Sequence, residues 1–365
     1  MNESKVDPVP VIVTGIGGGG HGEQILKALR LADTSYKIIG TDVNPECANK
    51  NEADVFHVAP SARDANYLDY LIGLGKKYGC VALFHGSEPE MMVMSEAREL
   101  LQSEGLYTPV NPASVMEICQ DKARTSQYLS DGGFAHPAFK EISSRSDLEA
   151  FNHFPCVLKP SVGGGGSANV FIVQNAGELE LFGGYMLKLY KSFLAQEYVG
   201  SHEEEFTVGV LFGQDGALLN SIAIKRIINN ALTIRTKVPN ATGREELGSN
   251  LIVSTGISQG IVGHWPEVTA QCEKLAIGLN PIAPVNIQCR VVDGQVIPFE
   301  INPRFSGTTS LRAMAGYNEP DTLIRRDVLG QNIESHFSYR SMTILRGLKE
   351  NIVTAGAHKQ SENNE

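Results

Sequence analysis

The sequence predicts an α/β domain followed by a larger α+β region, and three observations carry that reading. Apolar runs alternate with amphipathic helical segments between residues 11 and 84. A glycine-rich turn follows the first of these runs, where a parallel sheet places its ligand loops. After residue 194 apolar runs succeed one another, as in an antiparallel sheet.

Residues 1–9 read as a loose leader. Val11 to Thr14 forms a buried strand that runs into the loop from Gly15 to Gly22, and a helix follows with Ile25, Leu26, Leu29 and Ala32 on one face. Tyr36 to Thr41 is a second strand, ended by Asp42. Asp64 to Tyr78 is a helix that turns Tyr67, Leu68, Leu71 and Leu74 inward, and Val81 to Phe84 is a third strand. This order is Rossmann-like and closes near Asn111-Pro112. Residues 113–135 are helical and carry Asp121-Lys122. Pro155 to Pro160, a glycine run and Val170 to Val173 give strand, loop, strand. Strands then cover Leu194–Val199, Glu205–Phe212, Ala217–Lys225 and Val285–Ile301, before a helical stretch at 308–330 and a polar tail after about 350.

A chain of 365 residues has room for two or three domains. Apolar content of 42% and charge of 20% suit a soluble globular protein. A net charge of −10 excludes a broad nucleic-acid surface but leaves room for a local cationic pocket. The six cysteines are scattered without a C-x-x-C pair, which fits a reducing cytosol. No run reaches the ~20 apolar residues of a membrane span, and the N-terminus has no signal pattern, so the expected location is cytoplasmic.

The chemistry concentrates at Val296 to Arg304. Glu300 and Asn302 are two apart on a strand, so they share a face and offer hard oxygens to Mg²⁺. Arg304 follows a stiffening proline and presents a fork of donors to phosphate. Gly163, Gly164, Gly165, Gly166 and Ser167 form a bare loop whose N–H groups can close on phosphate oxygens, with the Lys159 ammonium just before it. No G-K-[ST] closes the run, so it is not a P-loop. Glu205 opens a strand and can accept from ribose hydroxyls, while extended backbone at Glu197 to Val199 can pair with an adenine edge.

The ordered set of Lys122, Lys159, the glycine loop, Gln196-Glu197-Tyr198-Val199, Glu205-Phe206-Thr207-Val208, Asn286-Ile287-Gln288 and Phe299 to Arg304 resembles the ATP-grasp superfamily. Within it the chain is most similar to the carbamoyl-phosphate-synthase-like branch of carboxylate–amine ligases, over roughly residues 10–330. The resemblance implies a Rossmann-like domain at 1–112 and a two-subdomain ATP-grasp fold. Its small subdomain spans 113–195, its large one 196–333, and a partly disordered extension covers 334–365. It implies ATP held by Lys122, Lys159 and the lid from Ser161 to Ser167, with Gln196, Glu197, Tyr198 and Val199 at adenine and Glu205 at ribose. It further implies Mg²⁺ (or Mn²⁺) on Gln288, Glu300 and Asn302, with Arg304 and Lys159 acting on the transferred phosphate. Glu203 competes with Glu205 for the ribose, because the turn before it is long.

The implied activity is a ligase that activates a carboxylate as an acylphosphate and joins it to an amine. Its partners are small molecules. Homodimers are common in the family, though no segment here marks an interface. Glu88, Arg226 and Arg312 are the candidate substrate contacts. Carboxyphosphate chemistry on bicarbonate is the near alternative. Gly15, Gly17 and Gly20 match G-x-G-x-x-G ahead of Asp42, which supports a different alternative, an NAD-dependent oxidoreductase. A final expectation concerns register. A plain two-residue turn at Asp293-Gly294 would point Gln288 away from Glu300, so either a three-residue connection pairing Val292 with Val296 or a bulge is required.

Overall fold

The computed structural model describes residues 7–162 and 169–350. The first domain is a parallel sheet of order β3-β2-β1-β4, built from β1 (Val9–Val13), β2 (Tyr36–Asp42), β3 (Val55–Val58) and β4 (Ala82–Phe84). Helices α1 (His21–Arg30), α2 (Tyr67–Tyr78), α3 (Glu88–Glu96) and α4 (Arg98–Ser103) complete it. The edge strand β3 is an addition to the sequence reading, which places no element there. Strand order reverses between β1 and β4, so the loops after them meet at the switch point where such sheets bind ligands. They meet closely: Gly22 N–H donates to the Gly86 carbonyl at 3.3 Å, and a Cβ on Gly86 would lie 1.8 Å from the Thr14 carbonyl oxygen.

Two helices lead out of this domain, α5 (Ala113–Cys119) and α6 (Lys122–Asp131), the latter capped by the Asp121 carboxylate on the Ala123 and Arg124 N–H groups. A small antiparallel sheet of order β5-β8-β6-β7 follows. Its strands are β5 (Phe139–Ile142), β6 (Cys156–Pro160), β7 (Phe171–Val173) and β8 (Phe193–Glu197), backed by α7 (Arg145–Ala150) and α8 (Ala176–Leu189). The expected lid, Ser161 to Ser167, lies outside the described residues from Gly163 on, as does the tail after 350. The boundary expected between 195 and 196 falls inside β8.

The third sheet has six strands in the order β15-β14-β9-β10-β13-β16. It contains β9 (Glu205–Phe212), β10 (Leu218–Arg226), β13 (Gly260–Gly263), β14 (Val285–Val292), β15 (Gln295–Asn302) and β16 (Met342–Ile344). A separate hairpin of β11 (Ile234–Pro239) and β12 (Asn250–Ser254) projects from it, and α9 (Pro266–Ile277), α10 (Thr309–Met314) and α11 (Glu319–Leu323) pack on the frame. The stretch expected to be helical at 308–330 is these last two helices and a short π turn at Ile324–Val328.

One core cluster runs from Val11, Val13 and Phe84 of the first domain to Leu211 and Ile222 of the third sheet and Phe305 just past β15. Polar contacts fix the same junction. Buried Asn111 donates to the Pro284 and Pro303 carbonyls, each at 3.1 Å, and accepts from Ile282 N–H at 2.9 Å. The first domain is thereby anchored on both strands that carry the candidate metal ligands.

Candidate active site

The β14–β15 hairpin sets the geometry. Asp293 and Gly294 form a two-residue turn with φ of 50° and 77°, pairing Val292 with Gln295. The three-residue connection is therefore not what the chain uses. The bulge is: Gln288 pairs with Glu300 and Cys289 with Pro298, which leaves Phe299 as the extra residue. A proline is tolerated here because β15 is the edge strand and the ladder is already interrupted. The bulge brings Gln288 opposite Glu300. It also turns the Phe299 carbonyl toward Lys159, whose Nζ donates to it at 2.9 Å.

An open cleft of about 1260 Å³, open solvent at its mouth included, lies between the small sheet and this hairpin. Lys122, Lys159, Gln288, Glu300, Asn302 and Arg304 all line it. So do Gln196 to Val199 and Glu88. Lys159 is 7% exposed and donates to Gln196 Oε1 at 2.8 Å. Burial pushes its ammonium down from 10.5 to about 7; Glu300 opposes the shift and Lys122 adds to it. Arg304 Nη2 is shared between Glu88 Oε1 at 3.0 Å and Asn302 Oδ1 at 3.1 Å, while its buried Nε has no partner among the described residues.

Among the described residues, no group of three His, Cys, Asp or Glu could hold a metal. A cation here therefore relies on one carboxylate and two amides. The donors suit Mg²⁺, which takes few protein oxygens and keeps phosphate and water for the rest. Gln288 and Glu300 sit face to face, half-buried in the cleft, which fits that ion.

The adenine side is mixed. Gln196 spends its amide oxygen on Lys159, and Glu197 pairs with Arg244 at 3.1 Å. Backbone N–H groups of Glu197 and Tyr198 donate to the Ala138 and Pro155 carbonyls. The Val199 N–H donates to no acceptor among the described residues.

Four expected assignments are corrected. Glu205 is 1% exposed, and both its oxygens are taken. Oε1 accepts from Arg226 Nη1 at 2.8 Å and Ser254 Oγ at 2.6 Å, and Oε2 from Arg290 Nε and Nη2 at 3.1 and 3.0 Å. Burial opposes its charge, but Arg226 and Arg290 outweigh burial and hold the carboxyl below its usual range. It is an internal counter-ion rather than a free ribose acceptor. Glu203, its competitor, sits exposed on a short 3-10 turn and does not line the cleft. Arg226 is buried on Glu205 and the Thr255 carbonyl, not presented to a substrate. Arg312, 1% exposed, is locked on Glu319 at 2.9 Å and Asn286 at 2.6 Å. Arg312→Met is expected to strand the Glu319 carboxylate and cost about 3–5 kcal/mol, read as a lowered melting temperature.

Sequence reading also missed the β11–β12 hairpin, whose residues Ile252 to Ser254, with Thr255 and Gly256, form one wall of the cleft. The alternation of Ile234, Thr236 and Val238 with Leu251 and Val253 was the available signal.

The N-terminal glycine loop does not present a dinucleotide site. Gly17 N–H donates to Asp42 Oδ2 at 2.8 Å, so the acid that would read a ribose is spent on the loop itself. Beside the cleft, His21 Nε2 and His85 Nδ1 lie 3.1 Å apart in the buried switch-point region. Burial and then Arg304 push both imidazoles down, His85 to about 3, so the pair is neutral.

A family model described as an ATP-grasp domain matches residues 119–308, and one described as a PylC-like, N-terminal domain matches residues 13–109. Among curated proteins, the carbamoyl phosphate synthase large chain of Brucella suis biovar 1 (strain 1330) is 22% identical over 337 residues, or 85% of this chain. The chain spans only 27% of that relative. Among solved structures it is similar to the biotin carboxylase domain dimer of Hydrogenobacter thermophilus 2-oxoglutarate carboxylase, in complex with MgADP, ADP and bicarbonate. That match has a TM-score of 0.60 at 14% identity, over 90% of this chain and 71% of that one. The L-amino acid ligase from Bacillus licheniformis matches with a TM-score of 0.59 at 18% identity, over 88% and 74% of the two chains.

Proposed function

Because this chain belongs to the ATP-grasp family, we propose that it is an ATP- and Mg²⁺-dependent ligase that activates a carboxylate and joins it to an amine. One observation carries the reading: three cations, Lys122, Lys159 and Arg304, share a cleft with the oxygen edge of Gln288, Glu300 and Asn302. A triphosphate needs both faces, one to neutralise its oxygens and one to hold its metal.

In this reading a substrate carboxylate oxygen attacks the terminal phosphorus. The bond to the bridging oxygen breaks, ADP leaves, and an acylphosphate remains. The amine nitrogen then attacks the acyl carbon, phosphate departs with its electron pair, and the amine loses a proton. Lys159 and Lys122 hold phosphate oxygens, and Arg304 swings its fork from Glu88 to the transferred group. Glu88, released, faces the incoming amine with a carboxylate. Glu300, Gln288 and Asn302 would hold Mg²⁺, which would supply neutralisation of the charge on the phosphates. The adenine edge meets the backbone at Glu197 to Val199. A second copy of the chain is part of the proposal, as in the Hydrogenobacter thermophilus domain dimer. The setting is cytoplasmic, supported by six cysteines that are all free and buried. No helix among the described residues is long and apolar enough to cross a membrane.

Bicarbonate as the acid is the second reading, favoured by the bicarbonate in the Hydrogenobacter thermophilus complex. A screen of ADP release over carboxylic acids and amines with Mg²⁺-ATP tests both. Release that requires an organic acid and an amine supports ligation. Release that appears only with bicarbonate selects the second reading, and no release with any acid overturns both. The NAD-dependent oxidoreductase finds no support, since Asp42 is bound to its own loop.

A further inference from the structure

We propose that Arg290 is the positioning residue of the nucleotide site, a clamp that fixes the adenine-side hinge relative to the metal edge. The proposal rests on the ATP-grasp reading above and adds a residue outside its binding set.

Arg290 stands two residues after Gln288 on β14 and directly opposite Glu205 on β9. It is 5% exposed, yet it lines the cleft. Its five donors are distributed over three parts of the wall. Nε and Nη2 fork onto Glu205 Oε2. Nη1 donates to the carbonyls of Val199 and Gly200, both at 3.2 Å, and Nη2 also donates to the Ile252 carbonyl at 3.0 Å. The guanidinium carbon lies 4.3 Å from the centre of the Tyr198 ring.

The hinge after β8, the projecting hairpin and the metal-bearing strand are therefore joined through one side chain. Glu205 is what holds that side chain in place: Arg226 and Arg290 share its carboxylate, and Arg226 reaches on to Thr255 in the same hairpin. Lysine cannot replace the fork, because a single ammonium cannot reach the carboxylate and three carbonyls at once. The consequence for binding is selective. Contacts to the polyphosphate come from Lys122, Lys159 and the β14–β15 edge, which the substitution leaves alone. Contacts to the base come from the hinge, which loses its anchor.

The test compares two ligands on wild type, Arg290→Lys and Arg290→Met: ADP with Mg²⁺, and inorganic tripolyphosphate with Mg²⁺, by calorimetry, with melting temperatures alongside. Wild type binds both if the ATP-grasp reading holds; if it binds neither, that reading fails and takes the clamp with it, whereas the outcomes below bear on the clamp alone. The clamp predicts that Arg290→Lys stays folded and loses about tenfold or more in ADP affinity while tripolyphosphate affinity stays within about twofold. Unchanged ADP affinity in folded Arg290→Lys overturns it. So does an equal loss for both ligands, which marks a general collapse of the cleft.

Discussion

Glu300→Ala is expected to lower turnover by about a thousandfold while leaving the fold intact. Its carboxylate is the sole acid on the oxygen edge; its neighbours there, Gln288 and Asn302, are neutral amides. Removing it takes the carboxylate off that edge and leaves two weak ligands. Fold cost should be small, because the side chain is half-buried and sits on an edge strand next to a bulge. One secondary effect has a defined sign. Glu300 is the group that opposes the downward shift of Lys159, so its loss lowers the Lys159 ammonium further. The check is threefold: turnover, Mn²⁺ binding by electron paramagnetic resonance in the presence of ADP, and a thermal melt. Full turnover with wild-type Mn²⁺ binding would remove Glu300 from the site. Glu300→Gln separates charge from shape and is expected to rescue little.

The strand end that carries Glu300 stands out because its candidate chemistry is local: three candidate site residues lie within five positions. The Rossmann-like order and the alternating strands were legible for the same reason, as period and punctuation are properties of short windows. Pairing is not. Nothing near Glu205 in the chain shows that Arg226 and Arg290 will converge on it from β10 and β14. Read alone, an acid opening a strand looks available; folded, it is spent. Arg312 fails in the same way, its partner Glu319 lying one helix further on. The register of β14 on β15 is an intermediate case. Face-sharing demanded an irregularity, and the turn sequence Asp293-Gly294 already favoured a tight two-residue connection, which leaves a bulge as the consistent solution. Which residue bulges is beyond pattern reading, because the tertiary partner of the Phe299 carbonyl, Lys159, lies 140 positions away in the chain.

Lys159→Met is expected to weaken ADP binding on the order of a hundredfold near pH 6 and to erase most of its pH dependence. In the free protein, burial leaves the Lys159 ammonium titrating at about 7 instead of 10.5. Phosphate oxygens favour the charged form, so binding draws a proton onto Lys159. Wild-type affinity should therefore be greatest below 7 and fall by up to about tenfold per pH unit above it. Proton uptake should be visible as a buffer-dependent enthalpy in calorimetry near neutral pH. Stability runs the other way. The unfolded chain keeps this proton up to 10.5, while the folded chain releases it near 7. Below 7 both states are protonated and the fold bears the whole cost of a buried ammonium. Between 7 and 10.5 the unfolded state binds more protons, so this group makes stability rise with pH. Methionine removes both slopes, so the two proteins should differ most below neutrality and converge toward alkaline pH in their melting temperatures. A wild-type ADP affinity that does not change between about pH 6 and about pH 9 would mean that Lys159 is already charged in the free cleft, and the assignment of its ammonium to the phosphates would lose its basis.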